Sequence, residues 1–516
     1  MNIFMVLCDE LRADALGFMG NDIIKTPRID EMAKDSVIFE NSFCGSPMCV
    51  PSRVSISTGR HALCHGAVDN LLKPLETEKS FYEILKEQNY STANFGKWHS
   101  NIAPEKFGID ISNTYENETD EIEQTISCFG IADKKTRQST TYKKNPGDIS
   151  LIMSGTRPTH KDHTLDTVVT KHYLDYLDSI KNSDQPIFAR LSILDPHTPY
   201  LPSEPFASMY DPDSLPMPES MFDNLKNKPI LQQYFKKVRG FEAFNEADFR
   251  RSKAAYYGLV SHVDERIGIF VDYLKANDLY DDSLIIFTSD HGSMLGEQGF
   301  LEKWGYMYDQ VIHTPLLIKM PNNEAENTRK KSFVESIDLM PTLLDLLNVD
   351  IPENVHGKSL VPYIREHTSN HKDKVFAQYY CGSLQNTPAL MVRDKKWKLT
   401  SYPEGHALED FLLEDHPLKM SEFFDCEEFL GELYDLEKDP EERYNLFNDE
   451  QYSEIKDNYL TEIKEWLTSL GELVNTHTNQ LPNRFGQYIL LQGENINKVK
   501  NSLADDGKLS QLKILK

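Results

Sequence analysis

Short, almost wholly apolar runs rich in β-branched residues recur at Ile3–Leu7, Ile187–Leu194, Leu284–Thr288 and Pro315–Ile318, and Ser91–Phe95 is a further strand candidate. Between or after them the apolar positions fall at helical spacing, over Phe81–Gln88, Thr164–Ile180, Ser252–Leu274 and Phe333–Leu347. Strands that read as continuous apolar runs are buried on both faces, so the alternation predicts an α/β fold: a mostly parallel central sheet sandwiched by helices. Such sheets place their active sites beyond the strand C-termini, and the polar residues directly after each run become the first candidates for chemistry. After the turn Ile351–Gly357 the texture changes to short strands of hairpin spacing, Val375–Tyr380, Leu390–Arg393 and Trp397–Ser401, followed by a helical pattern over Tyr452–Leu470. This predicts an N-terminal catalytic domain over 1–370 and a smaller C-terminal α+β domain over 371–516, whose last stretch, Pro482–Lys516, reads as an arm, an oligomer contact or a loose tail.

Composition narrows the function. The 516 residues carry 55 Lys+Arg against 81 Asp+Glu, a net charge of −26, which argues against a partner that is nucleic acid or an anionic membrane. Any anionic ligand must find a locally basic pocket. No apolar run approaches the ~18 residues needed to span a bilayer. The N-terminus enters a strand pattern without a basic segment or a small-residue cleavage site, and the seven cysteines are irregularly spaced. Both features lead to the expectation of a cytoplasmic protein with scattered thiols. Two acidic stretches, Asp110–Glu123 and Glu404–Glu442, read as solvated loops or helix faces.

Polar clusters sit where the topology asks for them. Asp9-Glu10 follows the Ile3–Leu7 run directly, and Asp290-His291 follows Leu284–Thr288. Brought to one sheet edge, three carboxylates and an imidazole form an oxygen-rich site for a hard divalent cation. In Cys49-Val-Pro-Ser-Arg53, Pro51 suits the first turn of a helix and sets Cys49 at its N-terminus, where backbone N–H groups and the dipole favour an anion. Gly96-Lys97-Trp98-His99 follows the Ser91–Phe95 strand, Asp195-Pro196-His197-Thr-Pro-Tyr200 follows Ile187–Leu194, and Lys303 lies in Leu301-Glu-Lys-Trp304. Trp304, Tyr306 and Tyr308 could wall a pocket or belong to the core.

Cys-x-Pro-Ser-Arg followed by Val-Ser-Ile-Ser-Thr-Gly-Arg60 resembles the signature of the formylglycine-dependent sulfatases, and Gly-Lys-Trp-His and Pro-His-x-Pro resemble two further elements of that family in the same chain order. The resemblance covers roughly residues 1–470 and implies an alkaline-phosphatase-like fold and a sulfuric ester hydrolase. It implies that a formylglycine-generating maturation enzyme oxidises Cys49 to 3-oxoalanine, whose hydrate is the nucleophile. Asp9, Glu10, Asp290 and His291 fall where the family holds Ca2+, with Mg2+ or Mn2+ as alternatives, and Glu10 is a longer-armed departure from the usual Asp or Gln. The resemblance further implies that Arg53 holds the nucleophile turn, that Lys97 and Lys303 bind the sulfate, that His99 deprotonates the hydrate, that His197 protonates the leaving oxygen, and that Asn70 faces the substrate. The substrate class is a small-molecule or oligosaccharide sulfate ester, with aryl, sugar and alkyl leaving groups all open. The rivals are a phosphonate monoester or phosphodiester hydrolase of the same superfamily, and a non-catalytic binder of sulfated ligands if Cys49 is not matured. The first tends to carry uncharged hydroxyl residues where this chain has Lys97 and His99.

Overall fold

The computed structural model describes residues 1–115, 140–142, 151–381, 385–402 and 431–470. Eight strands form the central sheet: β1 Ile3–Cys8, β2 Val37–Phe43, β3 Ser91–Lys97, β4 Ile111–Tyr115, β5 Ile187–Ile193, β6 Leu284–Ser289, β7 Leu316–Lys319 and β8 Thr328–Glu335. Their spatial order is β8-β2-β7-β6-β1-β5-β3-β4, and β7 alone runs against the rest. The sheet is therefore mostly parallel, as the apolar runs require.

Alternation along β1 shows why. Phe4, Val6 and Cys8 enter one core, with α1 (Pro27–Lys34), α4 (Leu165–Ile180) and α5 (Glu246–Ala276). Ile3, Met5 and Leu7 enter the other, with α2 (Cys49–Thr58), α3 (Phe81–Glu87) and α6 (Leu339–Leu346). Every residue of β1, β5 and β6 is buried, so neither face of the central strands tolerates a solvated side chain. The helices begin where their sequences cap them: Ser80 with Glu83 closes a capping box before α3, and Asn245 with Asp248 does so before α5.

A four-stranded antiparallel meander follows, in the order β9 (Val375–Cys381), β10 (Gln385–Arg393), β11 (Trp397–Ser401) and β12 (Gly431–Asp435). Its apolar face packs with Tyr459, Ile463 and Trp466 of α7 (Ser453–Ser469) and with Ala62–Cys64 just beyond α2.

Two expectations need correction. The helix expected over Phe333–Leu347 starts only at Leu339, because Phe333–Glu335 completes β8, pairing in parallel with Asn41–Phe43. The acidic stretch ending at Glu442 is not a uniformly solvated surface: Glu432 and Glu442 are buried, and Glu432 accepts from Tyr308, Tyr402 and Tyr434. Residues 116–123 and 404–430 of the two acidic stretches, and all of 482–516, lie outside the described residues.

Register delivers the site. Cys8 lies level with Ile193 on one side and Ser289 on the other, and Gly96 lies level with Ser192. The residues that follow β1, β3, β5 and β6 are thereby brought to one edge.

Candidate active site

Cys49 is the first residue of α2 and is wholly buried. Met48 at the N-cap offers no side-chain acceptor; instead the Val50 N–H donates to Asn70 Oδ1 at 3.1 Å. Pro51 stands in the first turn, where its missing N–H costs no helix hydrogen bond. Cys49 Sγ lies 3.4 Å from His291 Nε2, 3.7 Å from Asp9 Oδ1 and 3.9 Å from Lys97 Nζ. Burial pushes the thiol up, but Lys303, Lys97, His291 and a hydrogen bond from His197 outweigh it and hold its pKa well below the ordinary value. Position 49 is thus built to carry a negative charge.

Arg53, one turn along α2, ties the strand ends together from complete burial. Its Nε donates to Asp290 Oδ2 at 2.8 Å, Nη2 to Asp9 Oδ2 at 3.0 Å, and Nη1 to the Lys97 carbonyl at 2.9 Å and Ser192 Oγ at 2.8 Å. One planar fork thus touches residues at the ends of β1, β3, β5 and β6. Ser52 Oγ adds a bond to the Asp290 carbonyl at 2.6 Å.

Lys97 Nζ reaches Asp9 Oδ2 at 2.7 Å. The Asp9 carboxyl is raised by burial and by Cys49, yet Lys97, His197 and Arg53 hold it below the usual carboxylate range. Asp290 moves the other way, upward, because burial and the charge of Asp9 outweigh His291 and Arg53. Gly96 has φ 93°, and a Cβ there would lie 2.0 Å from the Ser192 carbonyl oxygen. Only glycine lets β3 approach β5 this closely, which fixes where Lys97 emerges. His99 is buried with left-handed backbone, φ 42°, and its Nδ1 has no hydrogen-bond partner among the described residues.

Asp9, Cys49, Asp290 and His291 form a buried group whose potential ligand atoms lie within 4.8 Å of one another. His291 Nδ1 faces the Gly292 carbonyl at 3.0 Å, and a carbonyl can only accept, so the Nδ1 proton is engaged and Nε2 turns its lone pair inward. Two carboxylates and an inward imidazole suit a hard divalent cation, and oxygen donors at position 49 in place of sulfur would suit it further.

Glu10 is the exception among the expected ligands. Its carboxylate pairs with Lys303 Nζ through one oxygen and accepts from the Thr198 N–H at 3.2 Å through the other, and it is not part of the four-residue group. Its added methylene and left-handed backbone, φ 64°, carry it toward the Lys303 side. His197 comes to the same place from the far side: Nδ1 faces the Thr198 carbonyl at 2.5 Å and Nε2 lies 4.0 Å from Asp9 Oδ1.

The structure thus gathers Cys49, Arg53, Lys97, Asp9, Asp290, His291, His197 and Lys303 at the strand ends. Asn70 is found holding the start of α2 through its amide oxygen. Tyr306 and Tyr308 belong to the core, while Trp304 is half-buried beneath the Arg239 guanidinium. Sequence reasoning missed Ser192, Thr198 and Glu302. Ser192 lies within an apolar run with nothing to mark it. Thr198 was passed over beside His197, and Glu302 beside Lys303.

Known proteins resemble this chain over most of its length. The sulfatase family model matches residues 1–349, and that of the C-terminal region of N-sulphoglucosamine sulphohydrolase matches residues 296–430. An arylsulfatase of Clostridium perfringens is 29% identical over 483 residues, covering 90% of this chain and 93% of its own. Among solved structures, the phosphonate monoester hydrolase of Agrobacterium radiobacter aligns with a TM-score of 0.74 at 22% identity, covering 91% of this chain and 95% of its own. A protein solved in complex with its substrate D-glucosamine-2-N,6-O-disulfate aligns with a TM-score of 0.69 at 19% identity, covering 91% of this chain and 98% of its own. At such identities these two likenesses speak for the fold alone. With the family model spanning well over half of its length, the chain belongs to the sulfatase family, the sulfuric ester hydrolases of alkaline-phosphatase-like fold.

Proposed function

We propose that this sulfatase hydrolyses a sulfate monoester through a formylglycine made from Cys49 by a maturation enzyme. The observation that carries the reading is the surroundings of position 49: a helix N-terminus, two lysines and the His197 imidazole, which stabilise an anion there. The sulfate lies between Lys97 and Lys303, whose ammonium groups neutralise its oxygens. Once made from Cys49, the hydrated aldehyde would supply a hydroxyl nucleophile for sulfur. His197, in its doubly protonated form with Nδ1–H held by the Thr198 carbonyl, delivers the Nε2 proton to the leaving oxygen as the S–O bond breaks and is left neutral. His99 would act as base toward the second hydroxyl at position 49, which lets an aldehyde hydrate shed sulfate by internal elimination. Serine at position 49 offers no such internal elimination, and its sulfate ester would wait on water.

Asp9, Asp290 and His291 would hold the divalent cation, Ca2+ on the strength of the oxygen-rich donor set. When bound, it supplies positive charge to the sulfate and to the oxygens at position 49. Lys97 and His99 favour sulfate over phosphonate monoesters or phosphodiesters, because a second cation and an imidazole stand where that branch tends to carry uncharged hydroxyl groups. Mass spectrometry of the peptide containing residue 49, from protein co-expressed with a maturation enzyme, tests the reading. An aldehyde residue accompanied by sulfate release is expected, and full turnover with the thiol intact would overturn it.

A further inference from the structure

If His197 is to protonate the leaving oxygen, its ring must be held with Nε2 toward the reacting centre, and the residue that follows it does the holding. Thr198 is tied at three points. Its N–H donates to Glu10 Oε2 at 3.2 Å, its hydroxyl donates to Glu302 Oε1 at 3.4 Å, and its carbonyl accepts from His197 Nδ1 at 2.5 Å. The last bond fixes which nitrogen carries the proton in the neutral ring.

Glu302 is itself anchored. Its second oxygen accepts from Arg239 Nε at 3.0 Å and from Trp304 Nε1 at 2.8 Å, and the Arg239 guanidinium lies 4.7 Å from the centre of the Trp304 ring. Glu10 meanwhile pairs with Lys303, the residue directly after Glu302. Both glutamates hold left-handed backbone, φ 64° at Glu10 and φ 68° at Glu302. A residue bearing a Cβ persists in that region only where its surroundings over-determine it. Thr198 is therefore gripped from two sides by carboxylates whose backbones are strained in the same sense, and both grips lead to Lys303.

We propose that Glu302, acting through Thr198, is a positioning residue for His197, and that with Glu10 it joins His197 and Lys303 into one unit serving the leaving oxygen. The inference rests on the sulfatase reading and deepens it. Its consequence is selective. Proton delivery matters most when the departing oxygen is basic, so loosening His197 penalises poor leaving groups more than good ones. A defect in folding or in sulfate binding slows every ester alike.

The test uses matured full-length enzyme with 4-nitrophenyl sulfate and phenyl sulfate, the second having the more basic leaving oxygen. Thr198→Val removes the hydroxyl at nearly constant shape, and Glu302→Gln removes the charge. Each should lower the ratio of kcat/KM for phenyl over 4-nitrophenyl sulfate by about tenfold, part of the range open to general acid catalysis, with the loss in kcat rather than KM. Thr198→Ser keeps the hydroxyl and should restore the wild-type ratio. An unchanged ratio in both variants, whether the two rates fall together or stay put, overturns the positioning role. Failure of the wild type to hydrolyse either ester would instead bring down the sulfatase reading, and the positioning role with it.

Discussion

Arg53 Nε donates to Asp290 Oδ2 at 2.8 Å with both side chains wholly buried, so the helix that presents position 49 is bolted to the strand end that carries Asp290. The same guanidinium holds Asp9 at 3.0 Å. Removing it leaves two buried carboxylates without their shared cation. Arg53→Met should therefore lower stability by about 3–5 kcal/mol in urea unfolding, the usual result of breaking a buried pair. A loss under about 1 kcal/mol, the scale of an exposed pair, would show that Arg53 is not the strut described.

Position 49 should behave in the opposite way. Cys49→Ala removes the proposed nucleophile and little core volume, so turnover should vanish while the unfolding midpoint barely moves. Cys49→Ser should be nearly dead in multiple turnover. A steady-state rate close to wild type in either variant contradicts the formylglycine mechanism.

Lys97 pairs with Asp9 at 2.7 Å and is proposed to hold the sulfate. Lys97→Ala should reduce kcat/KM for sulfate esters by at least ~100-fold, the order seen when one charge-stabilising donor is removed. Turnover of a matched phosphodiester, if detectable, should start far lower and fall less. Equal losses on the two substrates would mean that Lys97 is not tuned to sulfate.

The donor set gives a metal prediction. Chelation, or Asp290→Asn, should suppress activity, and Ca2+ should restore the chelated enzyme better than Zn2+. Full activity in protein shown by elemental analysis to lack metal would refute the site.

Away from the active site, Asp264 of α5 caps the first turn of α1, accepting from the N–H groups of Arg28 at 2.9 Å and Ile29 at 2.8 Å. Burial raises its pKa to about 7, outweighing those hydrogen bonds. A carboxyl with a raised folded-state pKa contributes stability that is complete below its unfolded value and is lost as pH rises through the folded one. The thermal stability of wild type relative to Asp264→Asn should therefore decline between about pH 4 and pH 7 and level off above. A difference that stays flat or grows with pH across that window contradicts the shift.

Much of this architecture is legible in the chain because its physics is local. Asp9 and Asp290 each stand at the end of an apolar strand, Lys97 ends the more polar strand Ser91–Lys97, and Cys49 announces its helix start through Pro51. What sequence cannot convey is the direction of a long side chain. Glu10 has the chemistry of a ligand, and one added methylene with a left-handed backbone sends it to Lys303. Asn70 has the polarity of a substrate contact and spends its oxygen on the start of α2. Strands were missed where polar residues interrupt them: β2 carries Glu40-Asn41-Ser42, and β8, at the sheet edge, begins Thr-Arg-Lys-Lys. An edge strand needs only one protected flank, so its sequence does not read as a buried run. Beyond Tyr402, the buried Glu432 does not stand out from its acidic neighbours, because three of its four neutral donors, Gln232, Tyr308 and Tyr402, come from distant parts of the chain and only Tyr434 is near in sequence.

The assignment turns on which ester this centre prefers. Parallel steady-state kinetics of the matured enzyme on an aryl sulfate and an aryl phosphodiester with the same leaving group measure that preference directly. The positive charge that Lys97 and Lys303 bring to position 49 predicts a higher kcat/KM for the sulfate ester. A higher kcat/KM for the phosphodiester would contradict the assignment.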